Sequence, residues 1–578
     1  FHPYAYMYYN EGDGLKNYFT LVSYISQPAY DGMLHYTAMQ YPFGDYIYFT
    51  DNSPLIAFLM RLFSLYVVDI SDQAIFIIHC IVFLNVLIAP VVIWKILRKF
   101  TDNGWILVAG CLLLSWISPQ FLRIFGGTYN LSFSIFFFLA ILFAIQITEA
   151  VNEKNRRKFI KNYIWLLVLI IAASFIHLYY IVLLAIPLAA FFTFYSLVYL
   201  KQIKYKTTGA LSGLFSIFFC IFCVLLIIRT TDAYSELRLD VPEGRNLAEW
   251  ETNYYTLFKS DIEVNTLSFF GGKMEHNLES TCFLGNFFLY GVSILLIYII
   301  YLRFKKHRNF NFSKSDQKIL ILFLVSGLIS YFSSCGDSVL VFNLFKVENI
   351  FNPLHYIKRI YPPTEHFRFT GRINIWFYYS FQFMFLIIAA KGINFIRREN
   401  IKQAVYITFS CILLVEIGDN VKAVRTAVDP NFFNEAALSE IPEVKADEFQ
   451  AILPIPFYHV GSENYDYTID EYNSWGRYSF QLQLKTGLPL ISSKLSRTPP
   501  LFAQHSFSIF LNKSPDQALL DKMNGKPVLV IYNSKVVHHS DRFPASEVIE
   551  TGPDIIERYN MEYLFSDKNV SYYKWNVR

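Results

Sequence analysis

The sequence predicts a polytopic α-helical membrane protein of about ten spans, followed by a soluble α/β domain on the outer face. Three observations carry this expectation. Apolar stretches approaching 20 residues recur from Ala74–Ile93 to Ile373–Ala390, and that length crosses a bilayer. The 578-residue chain is 54% hydrophobic and only 17% charged, with 57 Phe and 41 Tyr, which departs from the balance of a soluble domain. Lys and Arg concentrate in alternate loops, and their placement says more than the net charge of +4.

Those loops hold Lys95/Arg98/Lys99, Lys154/Arg156/Arg157/Lys158/Lys161, Lys201/Lys204/Lys206, Arg303/Lys305/Lys306/Arg308 and Lys391/Arg397/Arg398/Lys402. The positive-inside rule assigns them to the cytoplasm. Spans are then expected at roughly 73–97, 105–119, 131–148, 163–176, 180–200, 208–228, 284–302, 317–335, 373–390 and 403–418. Three regions follow: a first outer loop at 1–72, a bundle at 73–418 and an outer domain at 419–578. An even number of spans with both ends outside calls for an element upstream of Phe1, either a signal-anchor helix or a cleaved signal peptide.

Two spans read as short: Trp105–Ile117 before Pro119, and Trp165–Ile176 before His177-Leu178-Tyr179-Tyr180. Backbone that leaves helical geometry at membrane depth must be buried in protein or line water. A cavity in the outer half of the bundle is the expectation, and a tilted contact with thinned lipid is the alternative.

The cysteines suggest no chemistry. Cys80, Cys111, Cys220, Cys223 and Cys411 fall inside spans, and Cys282 and Cys335 lie near outer span ends. The tail alternates strand-like runs (Ala451–Phe457, Pro527–Tyr532) with helix-like ones (Pro515–Met523, Pro553–Tyr559). It carries no nucleotide fingerprint. Sequons at Asn512 and Asn569 carry little weight, and no internal repeat supports an inverted-repeat transporter. No nucleic-acid partner is expected.

Residues 1–72 are too polar to span and too aromatic for a loose tail. Thr20–Ala29 and Pro54–Tyr66 are the candidate interfacial helices. A loop lying over the bundle mouth brings Glu11, Asp13, His35, Asp45 and Asp51 toward the expected cavity. One-residue spacing lets Glu11 and Asp13 point the same way if the segment is extended.

This pattern resembles the GT-C superfamily of membrane glycosyltransferases, which take a sugar from a polyprenyl-phosphate carrier. The resemblance rests on a multi-span bundle, a first outer loop with an acidic motif (here Glu11-Gly12-Asp13), interfacial helices in that loop, and a C-terminal outer domain. The runs Gly12-Asp13-Gly14-Leu15-Lys16-Asn17-Tyr18-Phe19, Tyr41-Pro42-Phe43-Gly44, Thr50-Asp51-Asn52-Ser53-Pro54-Leu55 and Phe367-Arg368-Phe369-Thr370-Gly371-Arg372 look like poorly characterised bacterial members. Some of that group resemble membrane proteins that glycosylate cell-wall polymers.

The resemblance implies transfer from a polyprenyl-phosphate-linked sugar to a glycan, lipid or protein acceptor outside a bacterial inner (plasma) membrane, with inversion. It makes Asp13 the leading catalytic carboxylate with Glu11 beside it. Asp13 acts either as general base on the acceptor hydroxyl or, with Glu11 and Asp51, as ligand to a divalent metal such as Mg or Mn. The competing structural reading is that Asp13 caps the helix that follows.

Arg368 and Arg372 are the donor-phosphate candidates, since the guanidinium fork suits phosphate oxygens. Headgroup anchoring is the plainer reading, and Lys358 and Arg359 are weaker candidates. His177 and Tyr180 flank the break between two spans, where they contact substrate or satisfy neighbouring backbone; His35 and Asp51 complete the cavity set. Arg123 reads as an anchor, and His79 and Asn85 as helix–helix partners. Two other classes fit the composition: a flippase or exporter of lipid-linked glycans, which needs the cavity without a base, and a glycan polymerase or ligase, which uses arginines on a large outer loop.

Overall fold

A computed structural model describes residues 4–9, 11–199, 203–243, 251–260, 265–267, 282–304, 312–341, 345–396, 398–425, 428–538, 540 and 542–577. Lys201, Lys305, Lys306, Arg308 and Arg397 of the basic loops lie outside the described residues, as does Phe1. The helices in chain order are α1 (Gly12–Ser26), α2 (Pro54–Tyr66), α3 (Ala74–Leu97), α4 (Gly104–Trp116), α5 (Pro119–Phe125), α6 (Ile135–Asn152), α7 (Arg156–Ile176), α8 (Tyr179–Tyr199), α9 (Ile203–Thr231), α10 (Asn286–Phe304), α11 (Lys314–Ser334), α12 (Pro353–Ile360), α13 (Ile375–Phe395) and α14 (Glu399–Arg425).

Among the described residues nine helical segments are long and apolar enough to cross a membrane. The expected span at 284–302 is α10, whose described apolar part, Asn286–Tyr301, falls in a shorter class. Burial sorts the bundle. The segment holding α13 is 83% buried and that holding α6 72%, whereas α14 and the Gly213–Thr231 part of α9 are 22% and 28% buried. The first two therefore form the centre and the last two the lipid-facing rim. On α3 the same division runs around one helix: Ile78, Val82 and Val86 are buried while Leu84, Leu87 and Val91 are exposed.

The two short spans have different outcomes. α4 does stop after 13 residues, at a break where the Ser118 side chain accepts from the Phe121 amide and Pro119 opens α5. The α7 span, by contrast, is a full 21 residues. Its first turns are Arg156, Arg157, Lys158 and Lys161, basic residues that polarity assigned to the loop but that helical geometry accommodates at the span end. His79 and Asn85 are inter-element partners: His79 Nε2 lies 2.7 Å from Tyr18 Oη, and Asn85 bonds the Ser132 carbonyl and the Ile135 amide. All seven cysteines are free.

The N-terminal helix departs from expectation. α1 begins at Gly12 and has Gly14 to Leu21 buried without interruption, so it is a packed helix and not an amphipathic one at Thr20–Ala29. α2 clamps its end: Arg61 donates to the carbonyls of Pro28 (2.8 Å) and Gly32 (3.0 Å) and stacks on Tyr24.

The strands are β1 (Tyr6–Tyr8), β2 (His35–Tyr36), β3 (Asp45–Tyr46), β4 (Ser338–Val341), β5 (Phe345–Glu348), β6 (Val428–Pro430), β7 (Ile452–Ile455), β8 (His459–Ser462), β9 (Ser493–Thr498), β10 (Val528–Tyr532), β11 (Glu562–Asp567) and β12 (Val570–Trp575). After α14 the chain builds a four-stranded sheet in the order β11-β12-β10-β7, with β10–β7 parallel and the other pairs antiparallel. One apolar cluster packs against this sheet from the helices at Pro500–Leu511 and Ala545–Thr551. The other cluster is continuous with the bundle and with α1: Phe19 stacks on Phe480 with centroids 4.1 Å apart. Strand β1 pairs with β6, and Gln40 and Tyr41 donate to the carbonyls of Ser492 and Leu490. The described residues of this N-terminal segment thus lie between the bundle and the C-terminal region.

Candidate functional site

The site begins where α1 starts. Glu11 is extended, Gly12 turns the chain with φ +49°, and Asp13 enters the first helical turn. The two carboxylates therefore do not share an extended strand. Glu11 occupies the cap position without a side-chain bond, and Asp13 does not cap. An acid in the first turn still favours the helix through its dipole.

Two glycines set the depth of this helix end. A Cβ on Gly14 would lie 2.0 Å from the Tyr9 carbonyl oxygen and 3.0 Å from Gly127 Cα. Gly127, at φ +79°, faces it in the turn before α6. Asn17 Nδ2 donates to the Gly127 carbonyl at 2.9 Å, and Tyr129 Oη donates to the Asn17 carbonyl at 3.2 Å. Backbone cannot yield as a flexible side chain does, so Gly14→Ala is expected to lower stability by about 1–3 kcal/mol. A clear drop in the melting temperature of the purified protein checks it, and an unchanged one refutes the close approach.

One turn on, Lys16 is buried, at 4% side-chain exposure, between two carboxylates: Nζ lies 3.2 Å from Asp13 Oδ1 and 2.7 Å from Asp51 Oδ2. Asp51 comes from the turn before α2, where Asp51 and Ser53 both hold left-handed backbone (φ +57° and +59°), a costly conformation for such residues. Asn130 Nδ2 donating to the Asp51 carbonyl (2.7 Å) and Asn52 Nδ2 donating to the Thr20 carbonyl (3.1 Å) hold that turn. Asp13 itself is 57% exposed on its side chain. The Lys16 charge, aided by those of Lys494 and Arg372, holds its carboxyl below the usual carboxylate range against the opposing effect of desolvation. Burial opposes the charge on Lys16, but Asp13 and Asp51 outweigh it and keep its pKa above the ordinary value.

The chain of contacts continues into the bundle. His177, at the α7–α8 break, accepts the Tyr179 amide on Nδ1 (3.1 Å), so the neutral ring carries its hydrogen on Nε2, which lies 3.7 Å from Asp51 Oδ1. Tyr179 Oη accepts the Phe369 amide at 2.9 Å. The Arg372 guanidinium lies over the rings of Tyr179 (4.5 Å) and Phe369 (4.3 Å) and is buried, which headgroup anchoring does not require. Asp13, Asp51, His177 and Arg372, far apart in sequence, thus form one constellation joined by Lys16 and Tyr179.

The remaining candidates lie elsewhere. Tyr180 is fully buried and its hydroxyl accepts the Phe133 amide at 3.0 Å. His35 is half-buried, with Nε2 3.0 Å from the Phe43 carbonyl and its ring edge against Tyr46 and Tyr234; burial pushes its pKa down. Arg368 lies toward His366, which burial and the charges of Arg497, Arg368 and Arg238 push down to about 3. Asp45 is sealed against Arg238, which also pairs with Asp232. Arg123 is buried and lines a cavity of about 40 Å³ with Asn286, Asn374, Tyr378, Glu416 and Asp419, room for a few waters. The α4–α5 break forms one wall.

Two residues escaped the sequence reading. Lys16 stands three residues after Asp13, one helical turn on, and that spacing is its signal. Lys494, on β9, is buried in an ion pair with Glu471, and nothing local in the sequence marks it. Among the described residues no three His, Cys, Asp or Glu side chains converge to hold a metal; Lys16 occupies the position between Asp13 and Asp51 that a bridging cation would take. The arrangement offers an exposed, ionised carboxylate, a buried counter-charge that fixes it, and a buried arginine within its field.

A family model described as a domain of unknown function (DUF6311) matches residues 2–417, a span that takes in Asp13, Lys16, Asp51, His177 and Arg372. No curated protein matches the chain.

Proposed function

We propose that this chain, which belongs to the DUF6311 family, is a membrane glycosyltransferase of the GT-C type that transfers a sugar from a polyprenyl-phosphate donor to an extracytoplasmic acceptor. The observation that supports the reading is the exposed Asp13 carboxylate, held ionised by the buried Lys16, in the field of the buried Arg372. In this reading the first loop and the C-terminal α/β domain face outside a bacterial inner membrane, and the domain covers the acceptor path.

The acceptor hydroxyl oxygen attacks the anomeric carbon as the bond from that carbon to the phosphate oxygen breaks. Polyprenyl phosphate leaves with the electron pair, and single displacement inverts the centre. Asp13 takes the hydroxyl proton. A carboxylate of lowered pKa is a weak base, so the proton moves late, when bond formation has made the hydroxyl acidic. Arg372 faces the phosphate that gains charge. A divalent metal bridging Asp13 and Asp51 would first have to displace Lys16.

The graded series Arg372→Lys and Arg372→Ala tests the reading. Transfer rate against donor concentration is expected to weaken in the order wild type, Lys, Ala, because Lys keeps the charge but not the bidentate fork. Identical donor dependence for all three removes Arg372 from the site.

A further inference from the structure

We infer that the outer-loop segment at 350–361, which is not a span, docks on the membrane surface. Within it Ile350, Phe351, Tyr356, Ile360 and Tyr361 are 44–84% exposed. Single exposed apolar residues are ordinary, but five within twelve positions make a patch that calls for a partner.

Three observations identify the partner as lipid. The Phe351 ring lies on Phe332, centroids 5.3 Å apart, and Phe332 belongs to the last turns of α11, a membrane-crossing helix. The patch therefore adjoins the half-buried end of a span, at the level where that span leaves the bilayer. α12 is also divided lengthwise: Leu354 is buried and Ile357 half-buried against the core, while Tyr356 and Ile360 face away. Finally, Lys358 and Arg359 stand in its last turn, where cations suit both the helix dipole and lipid phosphates. Apolar and aromatic side chains beside basic ones are the composition of a helix that lies in the headgroup region. The segment leads within the same loop to Arg368 and Arg372, so a lipid phosphate at the surface meets basic residues along the way to the buried arginine. The inference stands without the transferase reading, since it concerns only how the loop meets the bilayer.

The test uses the full chain with Cys80→Ser and Cys411→Ser, the two exposed cysteines, reconstituted in phosphatidylethanolamine–phosphatidylglycerol vesicles. A nitroxide is attached after Ile360→Cys or, separately, Tyr356→Cys, with Val537→Cys, 63% exposed on the C-terminal region, as the aqueous reference. Collision with oxygen is expected to exceed collision with a water-soluble nickel chelate at Ile360 and Tyr356, with the reverse at Val537. In the background of Lys358→Glu with Arg359→Glu the oxygen preference should fall. Nickel-favoured collision, equal to that at Val537, at every labelled α12 position that folds overturns the inference. Two labelled positions keep the result decisive if one variant fails to fold.

Discussion

Asp13→Asn is expected to lower transfer by ~10²–10⁴-fold, the range a positioned acid–base group supplies, with folding and donor binding largely retained. The geometry separates this from a structural effect. Asp13 makes no cap bond, so the loss of about 1 kcal/mol that follows removal of a helix cap does not apply to it. The amide keeps nearly the same shape and still offers an oxygen to Lys16, with Asp51 left to balance the buried ammonium. Rate per folded molecule, measured with purified protein beside its melting temperature, decides the matter. Full transfer activity per folded molecule sinks the role of Asp13 as catalytic base. A companion Glu11→Gln is expected to change little, because Glu11 is exposed at the helix entry and contributes no cap bond.

The parts of this fold set by composition were legible in the sequence, and the parts set by long-range contacts were not. Spans follow from apolar length, so nine of the expected spans match helices long and apolar enough to cross among the described residues; their ends run up to seven residues further, as at α7 and α14, because helical geometry carries charged and polar side chains beyond the apolar core. The tail's strands at Ala451–Phe457 and Pro527–Tyr532 appear as the parallel pair β7 and β10, both buried, since short apolar runs bounded by turn residues favour covered strands. The helix at Thr20–Ala29 was misread for a physical reason. The face that sequence alone leaves open is covered from the C-terminal region, where Phe480, on the helix Asn473–Thr486, stacks on Phe19.

The site shows the same division. Asp13 and Arg372 stand out from local motifs, but their company does not. Asp51 reaches Lys16 only because two left-handed residues turn the chain there, and neither is glycine. His177 reads as a span break, yet its partner Asp51 is separated from it by six helices. Lys494 comes from the opposite end of the chain. Sequence spacing cannot carry such pairings, because they depend on packing of the whole bundle.

Lys16→Met carries the second large expectation, in stability and in pH dependence together. The variant leaves Asp13 and Asp51 without the cation they share. Breaking a buried pair costs about 3–5 kcal/mol, and exposed pairs are worth about 1 kcal/mol or less. Because water reaches Asp13, the loss should fall between these limits, read as a lowered denaturation midpoint. The sign of the pH effect follows from linkage. A carboxyl whose folded-state pKa is depressed adds stability above its unfolded value, near 3.9, and that stability is lost as pH falls through the folded value. In Lys16→Met the depression from Lys16 disappears and Asp13 titrates higher, so the acid limb of the transfer profile should move to higher pH while the wild type stays active further into acid. Adding Asp51→Asn removes the carboxylate left facing Asp13 and should restore part of the stability. It should not return the acid limb to its wild-type position, because the charge that held Asp13 ionised is still missing. Coincident acid limbs for wild type and Lys16→Met would show that Lys16 does not set the ionisation of Asp13, and would confine it to packing.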